Sequence, residues 1–295
     1  MANKKIKLYY QGNGRNFGDV VNYDLFTRLF CCDVVATRPY KADCIAIGSI
    51  LNKILYDTNL SFFACKNLKK MYYSIALKKC PIYILGSGFI EDVRETYPSL
   101  KLFRPVNVVA LRGRLTQAIM EEITGKKLDN VVLGDPGILV SRFIEGTQIE
   151  KKYRMGIVPH IVDKQSRILE RFKKRDDTCI LDIQDSPMDF LAGMASCETI
   201  VSSSLHGLIT ADSLNIPNAW IKFSDDLQGG HFKFFDYYSI YGLTPVVADL
   251  RTMDCPDLTP EFITDRYSVS ATRVEEVKVT LHCALKRYTM ENEVV

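Results

Sequence analysis

The chain has no C-x-x-C pair, no apolar run long enough to cross a bilayer, no internal repeat and no low-complexity tract. Each absence closes a class of function. A zinc ribbon or a dithiol redox centre needs paired cysteines. The nine cysteines here are irregularly spaced, with Cys31 and Cys32 adjacent, as suits small core residues kept reduced. His160, His206, His231 and His282 stand too far apart for ligand-type spacing, so no metal and no cofactor are expected. Charge of one sign is also missing: 38 basic residues face 35 acidic ones, for a net charge of +3. A nucleic-acid binder would need a clustered basic face, so no nucleic-acid partner is expected. The small clusters Lys69-Lys70, Lys78-Lys79 and Lys173-Lys174-Arg175 read as solvated helix faces, or at most as peripheral contacts with an anionic membrane. The start, Met1 to Lys5, runs into a strand-like segment rather than an apolar signal core. A soluble, cytoplasmic protein is the expectation.

What is present is an ordinary globular composition, 47% apolar and 25% charged, enough to build a sizeable core. Short apolar runs alternate with helix-like stretches. Strands are predicted at Ile6–Tyr10, Cys44–Ile47, Ile82–Leu85, Val106–Leu111 and Val131–Leu133, each followed by glycine, serine or charged residues. A polar stretch from about Arg142 to Lys152 interrupts the pattern. It resumes with strands at Arg154–Pro159, Cys179–Ile183, Ile200-Val201 and Ala219–Ile221, and with helices at Lys164–Lys174, Met188–Ala195 and Leu205–Leu214. Val274, Val277, Leu281, Leu285 and Tyr288 mark one face of a final helix. Repeated strand–turn–helix units are the signature of parallel sheets covered on both faces. The expected fold is α/β, with two Rossmann-like domains, residues 1–147 and 148–295, facing across a cleft. Ligands in such sheets bind at the carboxyl ends of the strands.

The unusual residues fall at those ends. Thr199 to Trp220 passes from a short strand through Ser202, Ser203 and Ser204 to His206 at a helix start, a geometry suited to an anion. The same serines would serve equally as plain helix caps. Gly12 to Asp19, G-N-G-R-N-F-G-D, is glycine-rich but matches neither a phosphate loop nor a dinucleotide fingerprint. Asp19 suits a helix N-terminus and also a sugar hydroxyl. Arg112, in L-R-G-R-L-T, can fork onto a carboxylate or phosphate. Asp135, in G-D-P, is either an aimed carboxylate or a turn residue. Lys222 can supply a point charge. The aromatic segment His231 to Tyr238 reads as a packed helix, or as ring faces for a sugar.

Taken together and in order, G-N-x-x-N-F-G-D, I-G-S-I-L, G-S-G-F, A-L-R-G-x-L-T, L-G-D-P, I-V-P-H, S-S-S-L-H-G-L-I-x-A-D and K-F-x-D-Y-Y resemble the polysaccharide pyruvyl transferases, in particular the exopolysaccharide ketal-pyruvate branch. The resemblance runs from about residue 8 to residue 242. It implies a GT-B-like fold and an enzyme that moves pyruvate from phosphoenolpyruvate onto a sugar as a cyclic ketal, often across the 4- and 6-hydroxyls, with release of phosphate. The acceptor would be a sugar of a cell-surface or capsular polysaccharide precursor. A lipid-linked acceptor would bring the protein to the inner face of the membrane.

By resemblance, His206 acts near the donor, Arg112 clamps it, and Asp135 is the aspartate of the D-P motif. Asp19 or Asp135 would orient the sugar hydroxyls or take a proton from one. Asn16 and the three serines join the substrate-binding set. Many relatives carry arginine where this chain has Ser204, and Lys222 is the expected replacement. Two other readings stay open: a GT-B-type glycosyltransferase using a nucleotide sugar, and a non-catalytic glycan-binding relative.

Overall fold

The computed structural model of the chain describes residues 3–11, 16–57, 80–96, 100–252 and 258–290. Gly12 to Arg15 of the glycine-rich motif and the basic pairs Lys69-Lys70 and Lys78-Lys79 lie outside the described residues. Among the described residues, thirteen strands run in chain order: β1 (Lys5–Tyr9), β2 (Asp33–Ala36), β3 (Cys44–Ile45), β4 (Leu55–Asp57), β5 (Ile82–Leu85), β6 (Leu100–Leu102), β7 (Val106–Leu111), β8 (Val132–Leu133), β9 (Tyr153–Val158), β10 (Thr178–Ile180), β11 (Cys197–Ser202), β12 (Asn218–Lys222) and β13 (Ala248–Asp249). The first sheet has the order β2-β1-β3-β5-β7-β8 and the second β10-β9-β11-β12-β13. Every pairing in both is parallel. The expected α/β class with parallel sheets is therefore what the chain adopts. Strands β4 and β6 form a separate antiparallel pair.

The longer helices are α1 (Phe17–Asp24), α2 (Arg114–Thr124), α3 (Pro187–Ala195), α4 (Leu205–Ser213), α5 (Phe232–Tyr238), α6 (Pro260–Arg266) and α7 (Ala271–Met290). The charged stretch Lys164–Lys174 forms only a one-turn helix, Leu169–Phe172, because its apolar residues are too few to anchor a longer one. None of the helices among the described residues is long and apolar enough to cross a membrane.

The two sheets share one apolar cluster, which draws Ile6 and Leu8 from β1, Phe17 and Val21 from α1, and Ile183, Phe190, Ile200 and Leu208 from the second half. Phe17 stacks on Phe190 with ring centroids 4.6 Å apart. Its backbone N–H donates to the carbonyl of Ile183 at 2.8 Å. The last helix, α7, grouped with the second half in the sequence reading, crosses back to β7 and β8. Near its end, Lys4 donates to the Tyr288 carbonyl and Tyr83 packs on the Tyr288 ring at 4.8 Å.

Helix α5 bridges the halves by its polar residues. Asp236 accepts from Arg112 Nε at 2.9 Å, from the Thr116 N–H at 2.8 Å and from the Thr116 hydroxyl at 2.7 Å. It thus caps α2, whose own N-cap residue, Gly113, has no side chain to do so. One residue on, Tyr237 donates its hydroxyl to Asp212 of α4 at 2.7 Å. Phe234 stacks on Trp220 of β12 at 4.2 Å. Both Arg112 and Asp236 are wholly buried, so neither charge has water to fall back on. Asp236→Ala is expected to cost about 3–5 kcal/mol of stability, read from urea unfolding, because it strands a buried guanidinium. A loss no larger than that of a typical surface substitution would refute this role.

Candidate active site

The carboxyl ends of β7, β8, β9 and β11 and the start of α1 converge on one group of charged residues. His206 lies in the first turn of α4, just after β11. Its ring lies against the backbone of Gly18 in α1: a Cβ on Gly18 would stand 2.1 Å from His206 Nδ1. Glycine at 18 is thus required by the imidazole, which explains how two motifs far apart in sequence belong to one site. His206 Nε2 is shut off from solvent and has no hydrogen-bond partner among the described residues. Burial, then the charges of Lys233, Arg112 and His160, push its pKa down to about 3. These neighbours favour the neutral imidazole.

Lys233 is the side chain that reading the sequence passed over. It lies in α5, three residues before Asp236, and is only 8% exposed. Among the described residues it has no carboxylate partner and no hydrogen bond; Phe234, with its ring centroid 5.5 Å from Nζ, is the aromatic neighbour. Burial and the Arg112 charge lower its pKa to about 8, against a smaller upward pull from Asp163. The signal was present in the K-F-x-D-Y-Y motif. A lysine placed one helical turn before a buried aspartate shares its inward face. Its aromatic neighbours made the segment look like simple packing.

His160 follows β9. Its N–H donates to Ser203 Oγ at 2.8 Å, and its Nδ1 accepts from the Val162 N–H at 3.4 Å. Burial and then Lys233 hold its pKa down to about 4. Asp163 accepts from Ser203 at 2.7 Å and from Ser224 at 2.9 Å.

The sequence-predicted residues divide clearly. Arg112 is present at the site but not as an open fork. Its Nε binds Asp236, Nη1 donates to Ser49 Oγ and Nη2 to the Phe89 carbonyl. Gly88 leaves room for that guanidinium, since a Cβ there would lie 2.4 Å from Arg112 Cζ. Asp135 caps the 3-10 helix Pro136–Phe143 by accepting from the Gly137 N–H at 2.9 Å. Its other oxygen, Oδ2, is buried without a partner. Burial raises its pKa to about 6; the Gly137 amide and Arg112 oppose the rise and Asp236 adds to it.

Ser202 spends its hydroxyl on the Val158 and Ser204 carbonyls, and Ser203 on Asp163. Ser204 is the N-cap residue of α4 but makes no side-chain cap bond. Asn16 caps α1 by accepting from the Gly18 N–H at 3.2 Å. Lys222 is paired with Asp225, which also binds Arg251. It lines a cavity of ≈ 60 Å³ with Asp163, Ser203 and Ser224, and is not among the charges that act on His206. Among the described residues, the cation beside His206 that has no ion-pair partner is Lys233. Among the described residues no three His, Cys, Asp or Glu side chains gather as a metal site would require.

Asp19, on the first turn of α1 beside Gly18, accepts no side-chain hydrogen bond among the described residues and lies near Gly48. Burial alone raises its pKa to about 7, and its charge in turn raises that of Tyr9. The folded protein therefore holds a proton on Asp19 between about pH 4 and 7 that the unfolded chain gives up. This group's contribution to stability is greatest below pH 4, falls as pH rises to about 7, and is level above that. In urea unfolding at pH 5, 6, 7 and 8, Asp19→Asn should gain on the native protein from pH 5 to 7 and then hold a fixed lead. A difference independent of pH would refute the buried, proton-bearing carboxyl.

The family model for polysaccharide pyruvyl transferase matches residues 2–225. The chain is 38% identical over 164 residues to the uncharacterized protein L143 of Acanthamoeba polyphaga mimivirus, covering 54% of this chain and 55% of the relative. It is 23% identical over 238 residues to the succinoglycan biosynthesis protein ExoV of Rhizobium meliloti, covering 80% of this chain and 65% of that protein. It thus spans between about half and two thirds of the length of these curated relatives. With its motifs matched across three quarters of its length and gathered at the strand ends, the chain belongs to the polysaccharide pyruvyl transferase family.

Proposed function

We propose that the protein transfers pyruvate from phosphoenolpyruvate to two hydroxyls of a sugar in a cell-surface polysaccharide precursor, closing a cyclic ketal and releasing phosphate. The observation that carries this reading is the buried ammonium of Lys233, without a counter-ion among the described residues, next to an imidazole whose Nε2 has no partner among them. A small polyanion would satisfy both, and a three-carbon phosphorylated acid carries two anionic groups a few ångströms apart. The name of the succinoglycan relative supports a polysaccharide setting.

The chemistry follows from the residues. A proton delivered to the methylene carbon of the enol phosphate makes the central carbon electrophilic. One sugar hydroxyl attacks that carbon and gives its proton to Asp19, whose pKa near neutrality suits a general base. The bond from the central carbon to the phosphate oxygen breaks. The second hydroxyl closes the ring, and its proton leaves on the phosphate. His206 is the group placed to protonate the methylene; Asp19 then gives its proton to solvent, and His206 is protonated again from solvent in the next cycle. Lys233 takes the anion contact that the sequence assigned to Lys222. Arg112, tied to Asp236, adds positive potential without reorienting. We assign the two halves to opposite walls of a GT-B-like cleft, with the donor against α4 and α5 and the sugar against α1.

The test is to incubate the protein with phosphoenolpyruvate and a panel of free, nucleotide-linked and lipid-linked sugars. Phosphate release matched by the mass of one pyruvyl ketal on the sugar supports the reading. Glycosyl transfer from a nucleotide sugar, or glycan binding without phosphate release, sinks it. His206→Asn should lower kcat by about 10²–10⁴-fold while the urea midpoint holds. Lys233→Gln should raise the KM for phosphoenolpyruvate by about 10–100-fold, the worth of one charge-assisted contact. An unchanged KM would remove Lys233 from the donor site.

A further inference from the structure

The charges around His206 do not balance until something anionic arrives. Lys233 faces it from α5, Arg112 from the end of β7 and His160 from the end of β9, and all three oppose its protonation. The carboxylates nearby are otherwise engaged. Asp236 is spent on Arg112 and Thr116, and Asp163 on two serines. Asp135 caps a helix through one oxygen, and Asp19 holds its own proton up to about pH 7. None of the four acts on the imidazole. Its Nε2 is sealed from water and, among the described residues, has no acceptor to receive a proton's hydrogen bond.

An imidazole in that setting has every reason to stay neutral, yet protonating a carbon calls for an imidazolium. Resting on the donor assignment above, we propose that His206 takes up a proton only together with the anionic donor, whose phosphate or carboxylate supplies a counter-charge and an acceptor for Nε2. The step is one proton from solvent onto Nε2, with no bond made or broken elsewhere. The acid for the first chemical step is then created by binding, and the donor brings its own trigger. The same coupling makes donor affinity fall as pH rises, beyond what the titration of Lys233 alone would give.

Calorimetry at pH 7 in buffers of low and high ionisation enthalpy counts the protons. The probes are sulfate, a dianion that does not titrate at this pH, and phosphoenolpyruvate. Uptake of about one proton per bound anion is expected. It should persist in Asp19→Asn, and in Lys233→Arg, whose guanidinium stays charged throughout. It should vanish in His206→Asn. Should that variant fail to fold, the ¹⁵N shifts of His206 in the unaltered protein read the same event, moving from neutral imidazole to imidazolium as sulfate is added. No uptake, uptake unchanged in His206→Asn, or an imidazole still neutral at saturation overturns the proposal. Turnover of phosphoenolpyruvate without proton uptake sinks the coupling and leaves the transferase reading standing. Uptake with sulfate, while phosphoenolpyruvate is neither bound nor consumed, does the reverse. Binding of neither anion overturns both.

Discussion

The buried contact between Arg112 and Asp236 is the constraint on which the site depends. It joins the carboxyl end of a strand in the first sheet to a helix that lies between the strands β12 and β13 of the second. Two charges removed from water tolerate little freedom, so their bond fixes the distance and the rotation of α5. The rest of α5 inherits that placement. Tyr237 reaches Asp212, Phe234 lies on Trp220, and Lys233 is held in a nearly dry setting. A lysine would not choose such a position for stability, since burial without a counter-ion costs free energy. The ion pair and the aromatic stack hold it there. Unfavourable local energetics of this kind is what the proposed anion site would need, since a bound anion would supply the missing counter-charge.

The preference for a neutral imidazole has the same origin. His206 rests on the backbone of Gly18, so the first sheet sets the position of an imidazole that the second sheet provides. Each half alone would leave that ring partly in water, with an ordinary pKa. The contact between halves excludes solvent, and the neighbouring cations push in the same direction. Site chemistry and the joining of the two sheets are therefore one physical fact.

Much of this was legible in the residues. The central strands β5, β7 and β11 are apolar runs ending in glycine, arginine or serine, and β9 runs into Pro159 and His160; such runs announce themselves. The edge strand β2 was not foreseen, because Asp33 to Ala36 is short and mostly exposed and lacks the apolar continuity of a buried strand. At the site, motif spacing pointed to His206, Asp135, Arg112 and Asp19, and all four lie at strand ends or helix starts. What spacing does not carry is who pairs with whom. The engagement of Arg112 by Asp236, 124 residues away, closes the fork that the arginine promised. Lys222 looked available in one dimension and is matched by Asp225 in three. Lys233 looked like part of an aromatic helix and is left with no ion-pair partner among the described residues. Such differences come from tertiary neighbours.

The crossing of α7 back over β7 and β8 bears on how the chain is made. The first sheet is complete in strand order once β8 has emerged from the ribosome, yet its Gly134 corner is covered by Val277 and Leu281, which are translated more than a hundred residues later. Until then an apolar face of the nascent first half stands bare. One face of the first sheet is therefore sealed only after the whole second sheet has been translated.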